Sequence, residues 1–506
     1  MNWQKNPKLL FLLLIVATVI LQPFKVGFEP GHHGWVSAHV LSQISHASFA
    51  NNFLGYTQEI MYRTGVDYNY FDRYPIIFSG FSHILLSPFW DDLSLYIYMA
   101  RQWMNVLFLL TAWLVWRLTN KLSSPEKALN LTILIISSAL TIRYKDMIHF
   151  DQPAIIGCLL VMNGIADYEL SGRKKMLWMG VLIGPLLGRG YAVIFFLAGW
   201  AVVRFISEYR KNRLIMPSLK AIPFIILISS IPLPTIMLGA NIYSESKIRN
   251  VSVLETSIVE SAQHRLGFKE YIRDGKPIKN VSWPSYVSTQ IGRSLDLITP
   301  YILYGFHVKN YKEKFLHYSS LLPKAIFQIL IFVLFLKFFS PFWLDLEIVT
   351  RRILTTMLLG GVAWLVIMKS LAAFHEYVTL YLFGLTFIVW MFLSDLMEKK
   401  QWNVRKIALA IFISSLSLNF IRETLVSQKV NWQSTEFQKV RDSIKSSGGK
   451  VIYVTDSSEN FFLDGVKYGD SFYLSGFTLT YDRDLADFQV VKNSVNDKPT
   501  LEVHKL

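Results

Sequence analysis

Residues 9–21 read LLFLLLIVATVIL and residues 222–240 read IPFIILISSIPLPTIMLGA, and neither stretch contains a charged side chain. Crossing a hydrocarbon layer takes about 20 mainly apolar residues, with every backbone polar group satisfied inside the helix. Runs of this kind decide the class, a polytopic integral membrane protein. Outward from these two, the apolar runs place spans at 9–24, 95–117, 129–142, 152–168, 176–188, 190–207, 219–240, 320–339, 353–371, 377–396 and 405–421. The rest of the 506-residue chain agrees: 52% of residues are hydrophobic and 17% charged, and the mean hydropathy is +0.33.

A formal net charge of +15 would suit a nucleic-acid binder. The Lys and Arg residues, however, cluster at the ends of apolar runs: Lys5 and Lys8, Lys121 and Lys127, Arg173 to Lys175, Arg210 to Arg213, and Lys399 to Lys406. There they orient helices and meet anionic lipid, so membrane lipids are expected partners and nucleic acid is not. With the N-terminus cytoplasmic, eleven spans put 118–128, 169–175, 208–218, 340–352 and 397–404 inside, and these segments carry the basic clusters. The first run leads into Phe24-Lys25-Val26-Gly27-Phe28 without a small-residue cleavage pattern and is read as retained. The single cysteine, Cys158, lies in an apolar run, which leaves no disulfide framework.

This topology places four segments outside: loops 25–92, 143–151 and 241–318, and a tail, 422–506. Within the third loop, 286–308 reads as an outward-facing or interfacial helix, or as one further span. The tail alternates apolar and polar residues, as in Lys450 to Val454 and Phe472 to Leu474, between Asp, Ser and Gly. That pattern predicts a small extracytoplasmic α/β or β domain after a membrane module of residues 1–421. The runs 176–188 and 190–207 are separated only by Gly188-Arg189-Gly190, which predicts a tight hairpin presenting Arg189 at the outer surface.

The polar clusters gather on the outer side. Glu29-Pro30-Gly31-His32-His33-Gly34-Trp35 follows the first span, and a helix is expected from Trp35 onward. A carboxylate held there can serve as general base, with His32 and His33 as alternatives for the same proton; the plain reading is a solvated carboxylate near a helix start. Asp67 to Pro75, preceded by Arg63, mixes aromatic rings with Asp72, Arg73 and Tyr74, the groups that grip sugar faces and hydroxyls; an aromatic belt at the membrane surface uses the same residues. The connection Arg143-Tyr144-Lys145-Asp146-Met147-Ile148-His149-Phe150-Asp151 brings Asp146, His149 and Asp151 close in sequence. They are candidate ligands for a divalent cation, Mg or Mn, while Arg143 and Lys145 suit a phosphate. Asp151 before Gln152-Pro153 also reads as a helix start. His375-Glu376, at an outward link, lacks the second histidine of a zinc-protease motif and is a candidate for contacting phosphate or acceptor.

An unusually long first external loop, an acidic residue shortly after the first span, a second acidic cluster in the next external loop and a C-terminal soluble domain together resemble the GT-C superfamily of integral-membrane glycosyltransferases. Its members include protein O-mannosyltransferases, lipid A aminoarabinose transferases and bacterial wall arabinofuranosyltransferases. The resemblance implies a GT-C-like all-α membrane fold of about eleven to thirteen spans. It also implies a polyprenyl-phosphate-linked sugar donor, a glycan, lipid or protein acceptor, and inverting transfer at the outer face of a bacterial plasma membrane. By position Glu29 matches the family's first-loop acid, Asp146 or Asp151 matches the second-loop acid, and Arg189 is a phosphate candidate. The family's first-loop acid often sits in an acidic pair, whereas Pro30-Gly31-His32-His33 follows Glu29 here. A polysaccharide or oligosaccharide ligase or polymerase would place its key groups in one late loop. A lipid-linked glycan transporter would carry polar residues in broken helices at mid-membrane.

Overall fold

The computed structural model describes residues 16–18, 21–29, 32–47, 55–70, 76–188, 190–212, 222–265, 272–273, 276–277, 282–304, 314–369, 372, 375–453, 470–474, 476–495 and 498–506. Helices dominate. Seven described helices are long and apolar enough to cross a membrane: Asp151–Ser171, Ala192–Arg210, Ile222–Arg249, Leu322–Asp345, Ile348–Ile367, Glu376–Lys399 and Val404–Ser446. The chain is therefore an integral membrane protein. Glu376–Lys399 runs through the middle of the bundle, almost wholly buried, whereas Leu322–Asp345 presents Phe332 and Leu336 outward, as a lipid-facing helix does.

The other four expected spans depart from simple apolar helices for visible reasons. Most of 9–24 lies outside the described residues. The stretch 95–117 lies within Leu93–Leu122, a 30-residue helix whose buried face carries Arg101 and Asn105. The stretch 129–142 splits into Pro125–Ile136 and Ala139–Arg143. It breaks because Ser137 and Ala139 hand backbone groups to another segment: Tyr301 N donates to Ser137 O at 2.9 Å, and Ala139 N donates to Thr299 O at 2.8 Å. The stretch 176–188 forms only the short helix Lys175–Ile183 and a 3₁₀ turn at Gly184–Leu186. Gly188 then turns the chain at φ +55°, where an added Cβ would meet Phe150 O at 2.0 Å. The stretch 286–308 gives an amphipathic helix, Trp283–Ile298, capped by Ser282, whose side chain accepts from Ser285 N. Its Tyr286 and Gln290 hydrogen-bond the carbonyls of Leu365 and Ala372 at 2.7 and 2.8 Å.

Outside the bundle the strands form one six-stranded sheet, ordered β2-β1-β6-β5-β7-β8. Strands β5 (Val451–Tyr453), β6 (Thr478–Thr480), β7 (Phe488–Val495) and β8 (Lys498–Lys505) come from the tail. Strands β1 (Tyr56–Tyr62) and β2 (Gly65–Tyr70) come from the first loop, and a separate hairpin pairs β3 (Ile272–Arg273) with β4 (Lys276–Pro277). The tail strands thus do not close a sheet among themselves. Ile60 of β1 pairs in parallel with Leu479 of β6, which pairs on its other side with Ile452 of β5. The first loop and the tail are one structural unit outside the helix bundle, joined to it by the helix pair Val404–Val430 and Trp432–Ser446.

Proline at position 479 removes a ladder donor from a central strand. Leu479→Pro should therefore expose the first loop and the tail to protease together, with the membrane helices still protected. Cleavage confined to the tail would contradict the shared sheet.

Candidate functional site

The segment 22–29 is irregular chain, with Pro23 and Gly27 in it, so its backbone groups need partners. The start of helix Trp432–Ser446 supplies them. Asn431 accepts from Val26 N at 2.9 Å, Gln433 accepts from Phe28 N at 3.1 Å, and Asn431 donates to Phe24 O at 2.7 Å. Gly27 is required by closeness: an added Cβ would lie 2.1 Å from Val430 O. This zipper fixes Lys25 and Glu29 against the C-terminal end of helix Val404–Val430.

Lys25 is buried and sits among three carboxylates from three elements. Its Nζ donates to Glu423, lies 3.0 Å from Glu29 Oε1 and 3.7 Å from Asp146 Oδ2. Arg422 caps the group, pairing with Glu423 and placing Nη2 3.3 Å from Glu29 Oε2. Arg101 reaches in from helix Leu93–Leu122. Its Nη2 donates to Gly27 O at 3.0 Å, and its Nη1 lies 3.6 Å from Asp146 Oδ2. Gln22 donates to Asp146 Oδ2 at 3.1 Å and accepts from buried Lys145, which also donates to Asn105 at 3.3 Å. Each of the three carboxylates has at least one cationic partner, and the buried Lys145 ammonium is held by the amide oxygens of Gln22 and Asn105.

Lys25, Glu29, Ser37, Arg101, Arg143, Tyr144, Asp146 and Arg422 line a cavity of about 410 Å³. Glu29 is the partly exposed carboxylate of the three, at 27% of its side chain against 5% for Asp146 and 2% for Glu423, so it is the one a substrate in the cavity can reach. Tyr144 and Lys145 also line an adjoining apolar cavity of about 610 Å³, walled by Phe108, Ile136, Leu159 and Phe387. Burial alone would raise the Glu29 carboxyl, but the charges of Lys25 and Arg422 outweigh it and hold the group down to about 2. Asp146 is likewise held below the usual carboxylate range, burial again being overcome by Lys25, Lys145 and Arg101. Burial pushes the Lys145 ammonium down.

A second cluster stands beside the cavity. Arg143 Nη1 lies 2.7 Å from Glu376 Oε1, and the Tyr144 hydroxyl donates to the same oxygen. His375 stacks on Tyr377 at 5.2 Å, and Tyr377 packs against His149 at 4.5 Å. His149 pairs with Asp151, which accepts from the Tyr381 hydroxyl at 2.9 Å.

The structure therefore brings together Glu29, Asp146, Arg143 and Lys145, with Glu376 alongside. It does not gather Asp146, His149 and Asp151 into one metal group. Asp146 turns to Lys25 and Arg101 while Asp151 turns to His149 and Tyr381, and among the described residues no three His, Cys, Asp or Glu side chains converge as ligands. Carboxylates already neutralised by Lys and Arg do not fit a resident divalent cation. Arg63 departs from the sugar-site expectation: it is exposed and paired with Asp482 and Asp484 across the sheet, at 3.1 Å from the latter. His32 and His33 open the helix His32–His46 in backbone only, and Asp72, Arg73, Tyr74 and Arg189 lie outside the described residues. The sequence reading missed Lys25, Arg101, Arg422 and Glu423. Arg101 carried a usable signal, an ionisable residue inside an expected span.

Asp146→Asn would leave Lys25, Arg101 and Lys145 short of one buried negative charge. It should lower stability by about 3–5 kcal/mol, read as a fall in the thermal midpoint in detergent; a change under about 1 kcal/mol would contradict the pairing. A carboxylate whose folded value lies below its unfolded one adds stability that is complete above about pH 4.5 and is lost as pH falls toward 2. Glu29→Gln should therefore flatten the stability profile in that window, and an unchanged acid slope would show that Glu29 is not so held.

No family model matches the chain, and no curated protein matches it. Among solved structures it is similar to an oligosaccharyltransferase of Archaeoglobus fulgidus, crystallised with a tethered acceptor peptide containing the NVT sequon, at 11% identity and a TM-score of 0.47. The similarity covers 96% of this chain and 65% of the other, so this chain spans just under two thirds of that protein's length.

Proposed function

We propose that the chain is a membrane glycosyltransferase that moves a sugar from a polyprenyl-phosphate donor to a glycan, lipid or protein acceptor at the outer face of a bacterial plasma membrane. One observation carries this reading: a reachable carboxylate, Glu29, shares a cavity with Arg143 and Arg422, next to an apolar chamber between helices. A lipid-linked sugar phosphate needs that combination of base, cations and apolar space. The positions of the basic clusters support a cytoplasmic N-terminus and an outward sheet.

In this reading the acceptor hydroxyl or amine gives its proton to Glu29 as its oxygen or nitrogen bonds to the anomeric carbon from the face opposite the phosphate. The bond from that carbon to the phosphate oxygen breaks, and configuration inverts. The donor phosphate is a diester with one negative charge and leaves as a monoester with a second, which Arg143 and Arg422 offset. Asp146 does not touch the reacting atoms; it holds Lys25 and Arg101 in place behind Glu29. Arg189 and the histidines 32 and 33 stay as candidates for donor and acceptor contacts.

Membranes carrying the wild-type chain, given a panel of radiolabelled polyprenyl-phosphate sugars, should release polyprenyl phosphate with one of them. Glu29→Gln should lower that rate by about 10²–10⁴ at unchanged membrane insertion. Arg143→Ala should mainly raise the donor KM. Turnover by Glu29→Gln at the wild-type rate would remove Glu29 as base.

A further inference from the structure

Arg422 follows directly on the last apolar run, and its guanidinium faces both ways. On the protein side it pairs with Glu423 and lies beside Tyr301, and on the cavity side it holds Glu29 Oε2 at 3.3 Å. Arg143 lines the same cavity, near enough for the two guanidinium charges to repel each other. Two cations that repel across an open space favour an anion between them. In the structure the anion serving Arg422 there is the Glu29 carboxylate, the group that must be free to accept a proton.

We infer that Arg422 holds Glu29 in reserve, and that a phosphate entering the cavity takes the Arg422 guanidinium and releases the Glu29 carboxylate toward the acceptor. This rests on the phosphate-donor reading above and adds to it a coupling between donor and base. Lys25 does not prevent the release. It is shared with Glu423 and Asp146, both more deeply buried than Glu29, and once Arg422 turns to phosphate, Glu423 loses one of its two cations and draws Lys25 inward. Without donor, Glu29 stays paired with both Lys25 and Arg422. Arg422 is in this sense a positioning residue for Glu29.

Coupling of this kind is reciprocal: if phosphate weakens the Glu29–Arg422 pair, Glu29 must weaken phosphate binding by the same factor. The test uses the full chain in detergent with farnesyl phosphate as probe and farnesol as uncharged control, affinities being read by microscale thermophoresis. Wild type should prefer farnesyl phosphate to farnesol. Glu29→Gln should bind the phosphate about five- to tenfold more tightly than wild type. In an Arg422→Gln background the same Glu29→Gln change should give no gain. Arg422→Lys, which still neutralises Glu423 but is too short to bridge two anions, replaces Arg422→Gln in the cycle if the latter does not fold. Unchanged or weaker binding by Glu29→Gln, or a gain that persists without Arg422, overturns the reserve and leaves the proposed function standing. No preference for farnesyl phosphate over farnesol in any variant removes the phosphate reading of the cavity, and the reserve with it.

Discussion

The structure depends on one buried ammonium. Lys25 joins Glu29 from the irregular segment 22–29, Asp146 from the connection after helix Ala139–Arg143, and Glu423 from the C-terminal part of helix Val404–Val430. Removing Lys25 from the low-dielectric interior would leave three carboxylates close together without their common partner, a far larger penalty than any packing contact nearby could offset. Arg101, Arg422, Lys145 and Gln22 complete the pairing. The network therefore locks together segments far apart in sequence, and it does so at the cavity. Stability and chemistry draw on the same groups there, which is why Glu29 sits partly exposed at the rim while its two companions lie beneath.

Above the network the sheet acts as a second clasp. Strands β5 to β8 of the tail cannot shield both edges alone, and the first-loop hairpin β1–β2 extends the sheet through the β1–β6 pairing. Glu59 accepts from the Thr478 hydroxyl at 2.6 Å, and Thr480 donates to Met61 O at 2.9 Å. The first loop and the tail are thus anchored twice, by hydrogen-bonded backbone in the sheet and by ion pairs at the cavity.

Much of this was legible in the sequence. Apolar runs located the long helices, and the count of spans led to the expectation that Glu29, Arg143, Lys145 and Asp146 share one side of the bundle. The trio Asp146, His149 and Asp151 does not converge in the structure, because nearness in sequence says nothing of direction. Helix Asp151–Ser171 begins between them, so Asp151 faces Tyr381 while Asp146 faces Lys25. The pairing of Arg63 was not legible because its partners, Asp482 and Asp484, lie some four hundred residues away in a sheet that the alternation pattern could not assign to two segments. Lys25, Arg422 and Glu423 looked like ordinary flanking charges at span ends, and only the folded chain shows that two such ends meet.

The central claim is that the exits of the first span and of helix Val404–Val430 meet at the outer surface. The chain has one cysteine, Cys158, and it is buried, so a cysteine-free background needs a single change. In that background Glu29→Cys with Arg422→Cys, treated in sealed cells with a short bifunctional maleimide, should cross-link rapidly, and a membrane-impermeant thiol reagent added outside should block the reaction. Absence of the cross-link, or protection of either thiol from the external reagent in the singly substituted proteins, would contradict the account.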